Sequence, residues 1–258
     1  MAILEDKVAI VTGSARGIGR ATAELLVENG AKVLINDIDG DVAEQAASEI
    51  SGDTLVFSGD LTKEGVPDRL VQKVIDEWGK VDILVNNAGY TLDAPIHKMS
   101  DDWFQKMLDI HTVVPFRMCR AVAPHMREPA KAERERGEER FRKVVNVLSL
   151  AGIMGNAGQV AYAAAKGGCF GLTRSLAKEW GAFKICVNAV AFGFIETRLT
   201  ADLPDSARAG FAAAIPVGRG GTPEEAARGV YFLCSPGSDY VTGQVLNVSG
   251  GLTVGMGS

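Results

Sequence analysis

The chain has 258 residues, a length at which one α/β domain can keep a single core. Hydrophobic residues make up 47% and charged residues 23%, which excludes a disordered chain, and no apolar run approaches the roughly 18 residues that span a bilayer. A net charge of −5, with no lysine/arginine stripe interleaved with aromatics, speaks against nucleic acid as a partner.

The opening "MAILEDKVAIVTG" carries acidic residues where a signal peptide needs an apolar core, which predicts a cytoplasmic protein. "KVAIVT" (7–12) reads as a buried strand. The next residues, "TGSARGIG" (12–19), open a helix over about 17–29. Gly13, Gly17 and Gly19 allow a tight turn, close backbone approach and helix-on-strand packing, and the helix N-terminus is a site for a pyrophosphate. "AKVLIND" (31–37) is a second strand that ends on Asp37. An acidic residue there suits the ribose hydroxyls of an adenosine and repels a 2′-phosphate, which favours NAD(H) over NADP(H); Arg16 in the glycine turn pulls the other way. Asp37 could equally cap the helix that follows.

A helix over 39–50, a strand "DTLVFSGD" (53–60), a helix over 62–78 and a strand "VDILVNNAG" (81–89) continue the rhythm. A long helix is expected from about Ser100 to Met126. Residues 127–141, "REPAKAERERGEERF", are dense in both charge signs and read as a solvated insertion, helical or disordered, that is dispensable for chemistry. "RKVVNVLS" (142–149) is a fifth strand with Ser149 at its carboxyl end. "VAYAAAK" opens a helix over about 160–180 and places Tyr162 and Lys166 on one face, four positions apart. "KICVNAVA" (184–191) is a sixth strand, residues 193–221 lack a strand pattern and read as a functional loop, and "TPEE" starts a helix with Thr222 as cap and Glu225 closing a capping box. "GQVLNVSGG" (243–251) is a seventh strand. Strands apolar on both faces predict a single-domain, doubly wound, seven-stranded parallel sheet of Rossmann type. Cys119, Cys169, Cys186 and Cys234 lack a C-x-x-C pair, and His97, His111 and His125 lack a zinc-ligand spacing, so no metal is expected.

"TGSARGIG", "NNAG" (86–89), Ser149 and "YAAAK", in this order over residues 5–254, resemble the short-chain dehydrogenase/reductase family. "GNAGQVAYAAAK" and "GFIET" (193–197) are most similar to the 3-oxoacyl-ACP reductases within it. The resemblance implies an NAD(P)(H)-dependent oxidoreductase that interconverts a ketone and a secondary alcohol, with a 3-oxoacyl thioester on an acyl carrier as substrate, and a homotetramer. Hydroxyacyl-CoA, hydroxysteroid or polyol dehydrogenases are the alternative among enzymes, and a catalytically weak dinucleotide-binding sensor the alternative outside them. It implies Ser149, Tyr162 and Lys166 as the catalytic set. Cofactor contacts would come from Gly13, Arg16, Gly17, Ile18 and Gly19, from Asp37, Asp60 and Leu61, from Asn87, Ala88 and Gly89, from Ile195 and Thr197, and from Tyr162 and Lys166. A phenol with a pKa near 10 is a poor base; Lys166 as a cation at about 4–6 Å would favour the phenolate by roughly 3 kcal/mol at an effective dielectric near 20, about two pKa units.

Three positions depart from the family pattern. His111 stands where relatives carry the asparagine of a proton relay, and is expected to keep the relay through a bent backbone or to shuttle protons itself, the alternative being that it merely packs in the helix and the relay is impaired. Phe192 replaces a proline before the glycine of "GFIET", which puts the nicotinamide pocket in question. Ser249 replaces an aspartate before the closing glycine pair.

Overall fold

A computed structural model of the chain describes residues 2–201 and 205–254. Seven strands run through it: β1 (Val8–Val11), β2 (Lys32–Asp37), β3 (Thr54–Ser58), β4 (Ile83–Asn86), β5 (Arg142–Ser149), β6 (Ile185–Phe192) and β7 (Val245–Val248). They pair in parallel in the order β3-β2-β1-β4-β5-β6-β7. The order reverses between β1 and β4, which leaves a crevice at the carboxyl ends of those two strands. Residues 202–204 of the 193–221 segment lie outside the described residues.

Alternation along the strands explains why they read as unbroken apolar runs. Val8, Ile10, Leu34, Leu84, Val144 and Val187 face one side of the sheet, where they meet the helices α3 (Val66–Trp78), α5 (Val114–Glu135) and α7 (Val160–Trp180). Ala9, Val11, Val33, Ile35, Ile83 and Val85 face the other, against α1 (Gly17–Glu28), α2 (Gly40–Glu49) and α10 (Pro223–Cys234). Both faces of the central strands β1, β4 and β6 are covered and every position along them is buried, while the edge strands β3 and β7 are half-buried and carry exposed Ser58 and Asn247. Thr222 accepts from the Glu225 N–H while the Glu225 carboxylate accepts from the Thr222 N–H, with Pro223 at the first helical position, as the capping-box spacing predicts.

The single helix expected over Ser100–Met126 is corrected. Helix α4 (Asp101–Leu108), capped by Ser100, passes into a wide π turn over Asp109–Val113 before α5 begins. The charged 127–141 segment is helical as far as Glu135, one of the two forms expected of it, but it is not solvated all round. Met126, Ala130 and Glu133 recur at helical spacing and are buried. Glu133 meets Arg142 of β5 in two bonds of 2.8 Å each, both side chains being less than a tenth exposed. A stripe made of one methionine, one alanine and a glutamate has too little apolar signal to be recognised as a packed face.

Among the described residues of 193–221 there is no strand, as expected, but two helices are present, α8 (Arg198–Ala201) and α9 (Asp205–Ala214). A short helix, α6 (Ala151–Met154), follows Ser149 directly. Among the described residues, no helix is long and apolar enough to cross a membrane.

Candidate active site

The glycine turn occupies the crevice between β1 and β4. Gly13 and Gly17 have φ of +60° and +56°, a region that disfavours residues with a Cβ. A Cβ on Gly13 would lie 2.7 Å from the Ala88 Cα, and one on Gly19 would overlap the Gly13 carbonyl oxygen. The turn is stitched from below. Thr12 Oγ1 accepts from the N–H groups of Asn87 and Ala88 at 3.0 Å each, and Asn87 Nδ2 donates to the carbonyls of Thr12 and Gly13 at 2.9 Å each. Asn87 therefore spends its side chain on shaping the turn, and Thr12 is a site-building residue that the sequence reading passed over. Its signal was there, a hydroxyl directly before the first glycine. No side chain caps α1, and nothing lies within 4 Å of where a Cβ on Gly17 would sit. First-turn N–H groups and open space above glycine fit a pyrophosphate.

At the end of β2, Asp37 Oδ1 accepts from the Asp39 N–H at 3.2 Å, and Arg16 pairs with Asp39 at 3.1 Å. Arg16 is thus engaged by a carboxylate two residues beyond Asp37. Asp60 accepts from the Thr62 backbone and hydroxyl at 2.9 and 2.6 Å, a turn that sets the start of the segment leading to α3. Leu61 beside it is buried, as is Ile195, while Thr197 N–H donates to Thr200 Oγ1 at 2.9 Å.

Ser149, Tyr162, Lys166 and His111 come together at the carboxyl ends of β4 and β5. Ser149 Oγ accepts from the Ala151 N–H at 3.2 Å and lies close enough to the Tyr162 hydroxyl to influence it. Burial pushes the Tyr162 phenol up to about 12, against the opposing effect of the Ser149 hydroxyl. Lys166 is 5% exposed; its Nζ donates to the Val147 carbonyl at 2.6 Å and lies 5.8 Å from the centre of the Tyr162 ring. Burial pulls the Lys166 ammonium down to about 8. Desolvation is the largest influence on both groups, and each is shifted toward its neutral form, the direction opposite to the expected lowering of the phenol. The Val147 carbonyl that aims Lys166 was invisible in the sequence, since any residue supplies a carbonyl.

The π turn lies against this cluster. The Val114 N–H reaches the Asp109 carbonyl, five residues back, so the helix bends where the relay expectation required it to. Thr112 Oγ1 donates to the Ala165 carbonyl at 2.7 Å, and His111, 3% exposed, stands edge-on to Tyr162 with ring centres 4.9 Å apart. Burial first, then the Lys166 charge, depress the basicity of His111 well below that of a free imidazole.

The other departures are absorbed by the fold. Phe192 is the last residue of β6, 6% exposed, and its carbonyl accepts from the Leu150 N–H at 3.0 Å. Its ring packs in the core beneath the crevice. Ser249 lies under Gly193, whose hypothetical Cβ would come within 2.8 Å of the serine Cβ.

Residues 13–253 match the family described as enoyl-(acyl carrier protein) reductase. The chain is 40% identical over 256 residues to the 3-oxoacyl-[acyl-carrier-protein] reductase FabG of Thermotoga maritima, covering 97% of this chain and 99% of that one. It is 42% identical over 254 residues to the FabG of Vibrio cholerae, with 96% and 98% covered, and 39% identical over 254 residues to that of Chlamydia muridarum, with 97% and 98% covered. Matches of this extent, on a doubly wound sheet with the glycine turn at its switch point, place the chain in the short-chain dehydrogenase/reductase family, whose members use a nicotinamide dinucleotide.

Proposed function

We propose that the chain is a 3-oxoacyl-ACP reductase, with Ser149, Tyr162 and Lys166 as catalytic residues and NAD(H) as the preferred cofactor. The observation that carries it is the meeting of these three side chains beside the glycine turn, in a chain about 40% identical to proteins named for that reaction. Gly13, Arg16, Gly17, Ile18 and Gly19 would hold the pyrophosphate, Asp37 the adenosine ribose, and Asp60 and Leu61 the adenine. Ala88, Gly89, Ile195 and Thr197 would line the nicotinamide half. Bound there, the dinucleotide supplies a hydride to the substrate carbonyl carbon.

The chain's own residues handle the oxygen. Ser149 donates a hydrogen bond to the carbonyl oxygen and Tyr162 gives it a proton as charge develops. A phenol pushed up to about 12 is protonated at neutral pH and so holds the proton that the carbonyl oxygen takes up on reduction. Lys166, still mostly cationic below about 8, steadies the phenolate left behind. The π turn at 109–113, docked on α7 through Thr112, would supply the backbone carbonyl of a relay through which the proton is replaced. Segment 193–221, with α8 and α9, would select the substrate. Trp103, Phe104 and Phe116 on the outward face of α4 and α5 are exposed apolar surface of the kind that subunits of a homotetramer cover.

Assaying NADH and NADPH oxidation against acetoacetyl-ACP, acetoacetyl-CoA, a ketosteroid and a keto-polyol tests the reading. Turnover fastest on the acyl-carrier thioester is expected. Turnover confined to the steroid or polyol, or none with a dinucleotide that binds, would overturn it.

A further inference from the structure

We infer that His111 is a positioning residue that ties the cofactor turn to the catalytic tyrosine: its Nε2–H holds the Tyr90 carbonyl while its ring braces the Tyr162 phenol. The inference rests on the proposed roles of Gly89 and Tyr162.

Three contacts define the position. His111 Nε2 lies 2.7 Å from the Tyr90 carbonyl oxygen, which can only accept, so Nε2 carries a hydrogen. The ring meets Tyr162 edge to face, with centres 4.9 Å apart and planes at 89°. Gly89 sits against the same ring: a Cβ there would overlap His111 Cε1 and come within 2.9 Å of Nδ1. The imidazole as it stands leaves no room for a Cβ at 89, where the backbone has no positive φ of its own to favour glycine. The π turn that carries His111 is fixed on its other side by Thr112, which donates to the carbonyl of Ala165, next to Lys166.

Nδ1 is buried and has no hydrogen-bond partner. A proton there would leave an N–H⁺ unpaired in a buried site, with Lys166 on α7 as the facing cation, so the ring stays neutral in its Nε2–H form. A ring locked this way cannot shuttle protons by gaining one. It works by shape and by one donated bond. Contact with both the Gly89–Tyr90 turn and the Tyr162 ring makes the alignment of nicotinamide and phenol depend on a single side chain.

Two variants separate the two contacts. A glutamine amide reaches as far as imidazole Nε2 and keeps the donor without the ring, whereas phenylalanine keeps the ring without the donor. For His111→Gln, dinucleotide Kd should stay within about threefold while kcat falls about tenfold, the size of one lost aromatic brace. For His111→Phe, Kd should weaken about fivefold, as for one lost neutral hydrogen bond, while kcat at saturation stays within about threefold. Thermal midpoints of both variants show whether they fold. Loss of kcat and Kd together in step with stability, or the reverse split, would overturn the inference and leave His111 as packing. The imidazole ¹⁵N shifts of the wild-type protein give a check that needs no variant: Nε2–H should persist between about pH 5.5 and 9, and a ring that titrates in that window would restore the shuttle. Dinucleotide titration and the ring signal need no substrate. Failure of the thioester reading would show separately, as absent wild-type turnover on acetoacetyl-ACP with Kd and tautomer unchanged.

Discussion

Tyr162 and Lys166 were legible as a pair from "YAAAK" alone, because helical spacing puts positions i and i+4 on one face. Their chemistry was not, since it depends on how dry the pocket is. Tyr162→Phe should remove nearly all turnover and leave dinucleotide binding intact, because only the hydroxyl carries the proton; activity within about tenfold of wild type would sink its role. Lys166 makes a prediction of opposite sign for stability. Its ammonium is pulled down to about 8 in the fold, against about 10.4 unfolded, so between those values the unfolded chain binds more protons and stability rises with pH. Below about 8 the full penalty applies, of order 3 kcal/mol, offset in part by the bond to the Val147 carbonyl. Lys166→Met should therefore raise the thermal midpoint at pH 7 by several degrees while turnover collapses. A lowered midpoint would show that the Val147 bond outweighs the burial.

Elements were easiest to place where an apolar period was clean, as in β1, β2 and β5, and hardest where the buried face used few apolar residues. Helix α5 is the example. Charge density along 127–141 suggested an excursion that could be removed, yet its inner face is seated by Met126, Ala130 and the buried Glu133–Arg142 pair. Removing one partner of such a pair leaves an uncompensated buried charge, a loss of about 3–5 kcal/mol. Glu133→Ala should thus destabilise the fold by that order in denaturant titrations, and adding Arg142→Met should recover most of it. Equal stability of Glu133→Ala and wild type would return the segment to the periphery. Acid should act on the same pair. Arg142 holds the Glu133 carboxyl below its usual range, so its contribution is present above the unfolded value of about 4.3 and is lost as pH falls through the lower folded value. The π turn was foreseeable only by resemblance, because nothing in "MLDIHTVVPF" breaks a helical pattern before Pro115. What widens the turn is its docking through Thr112 onto α7 and His111 onto Tyr90, contacts that exist only once β4 and α7 are packed.

At the scale of the whole molecule, a doubly wound parallel sheet follows from seven apolar runs separated by helices, while the order β3-β2-β1-β4-β5-β6-β7, which puts the glycine turn at the switch point between β1 and β4, is defined only by the assembled fold. Cofactor choice is finer. It turns on two side chains from different elements, Arg16 before α1 and Asp37 at the end of β2, whose relation only the assembled fold defines. The Arg16 guanidinium, which could meet a 2′-phosphate, is paired with Asp39, and Asp37 lies two residues before that carboxylate. NADH should accordingly stabilise the protein more than NADPH at equal concentration. A ligand at about 100 times its Kd adds about 2.7 kcal/mol to the folded state, and a tenfold weaker one adds about 1.4 kcal/mol, a difference of a few degrees in midpoint for a chain of this size. Asp37→Ala removes hydrogen bonds to the ribose of NADH and a repulsion from NADPH, so it should close or reverse that gap. Wild-type protein stabilised more by NADPH, or a gap unchanged by Asp37→Ala, would show that the ribose end is read by residues other than these, and would move the assignment to NADP(H).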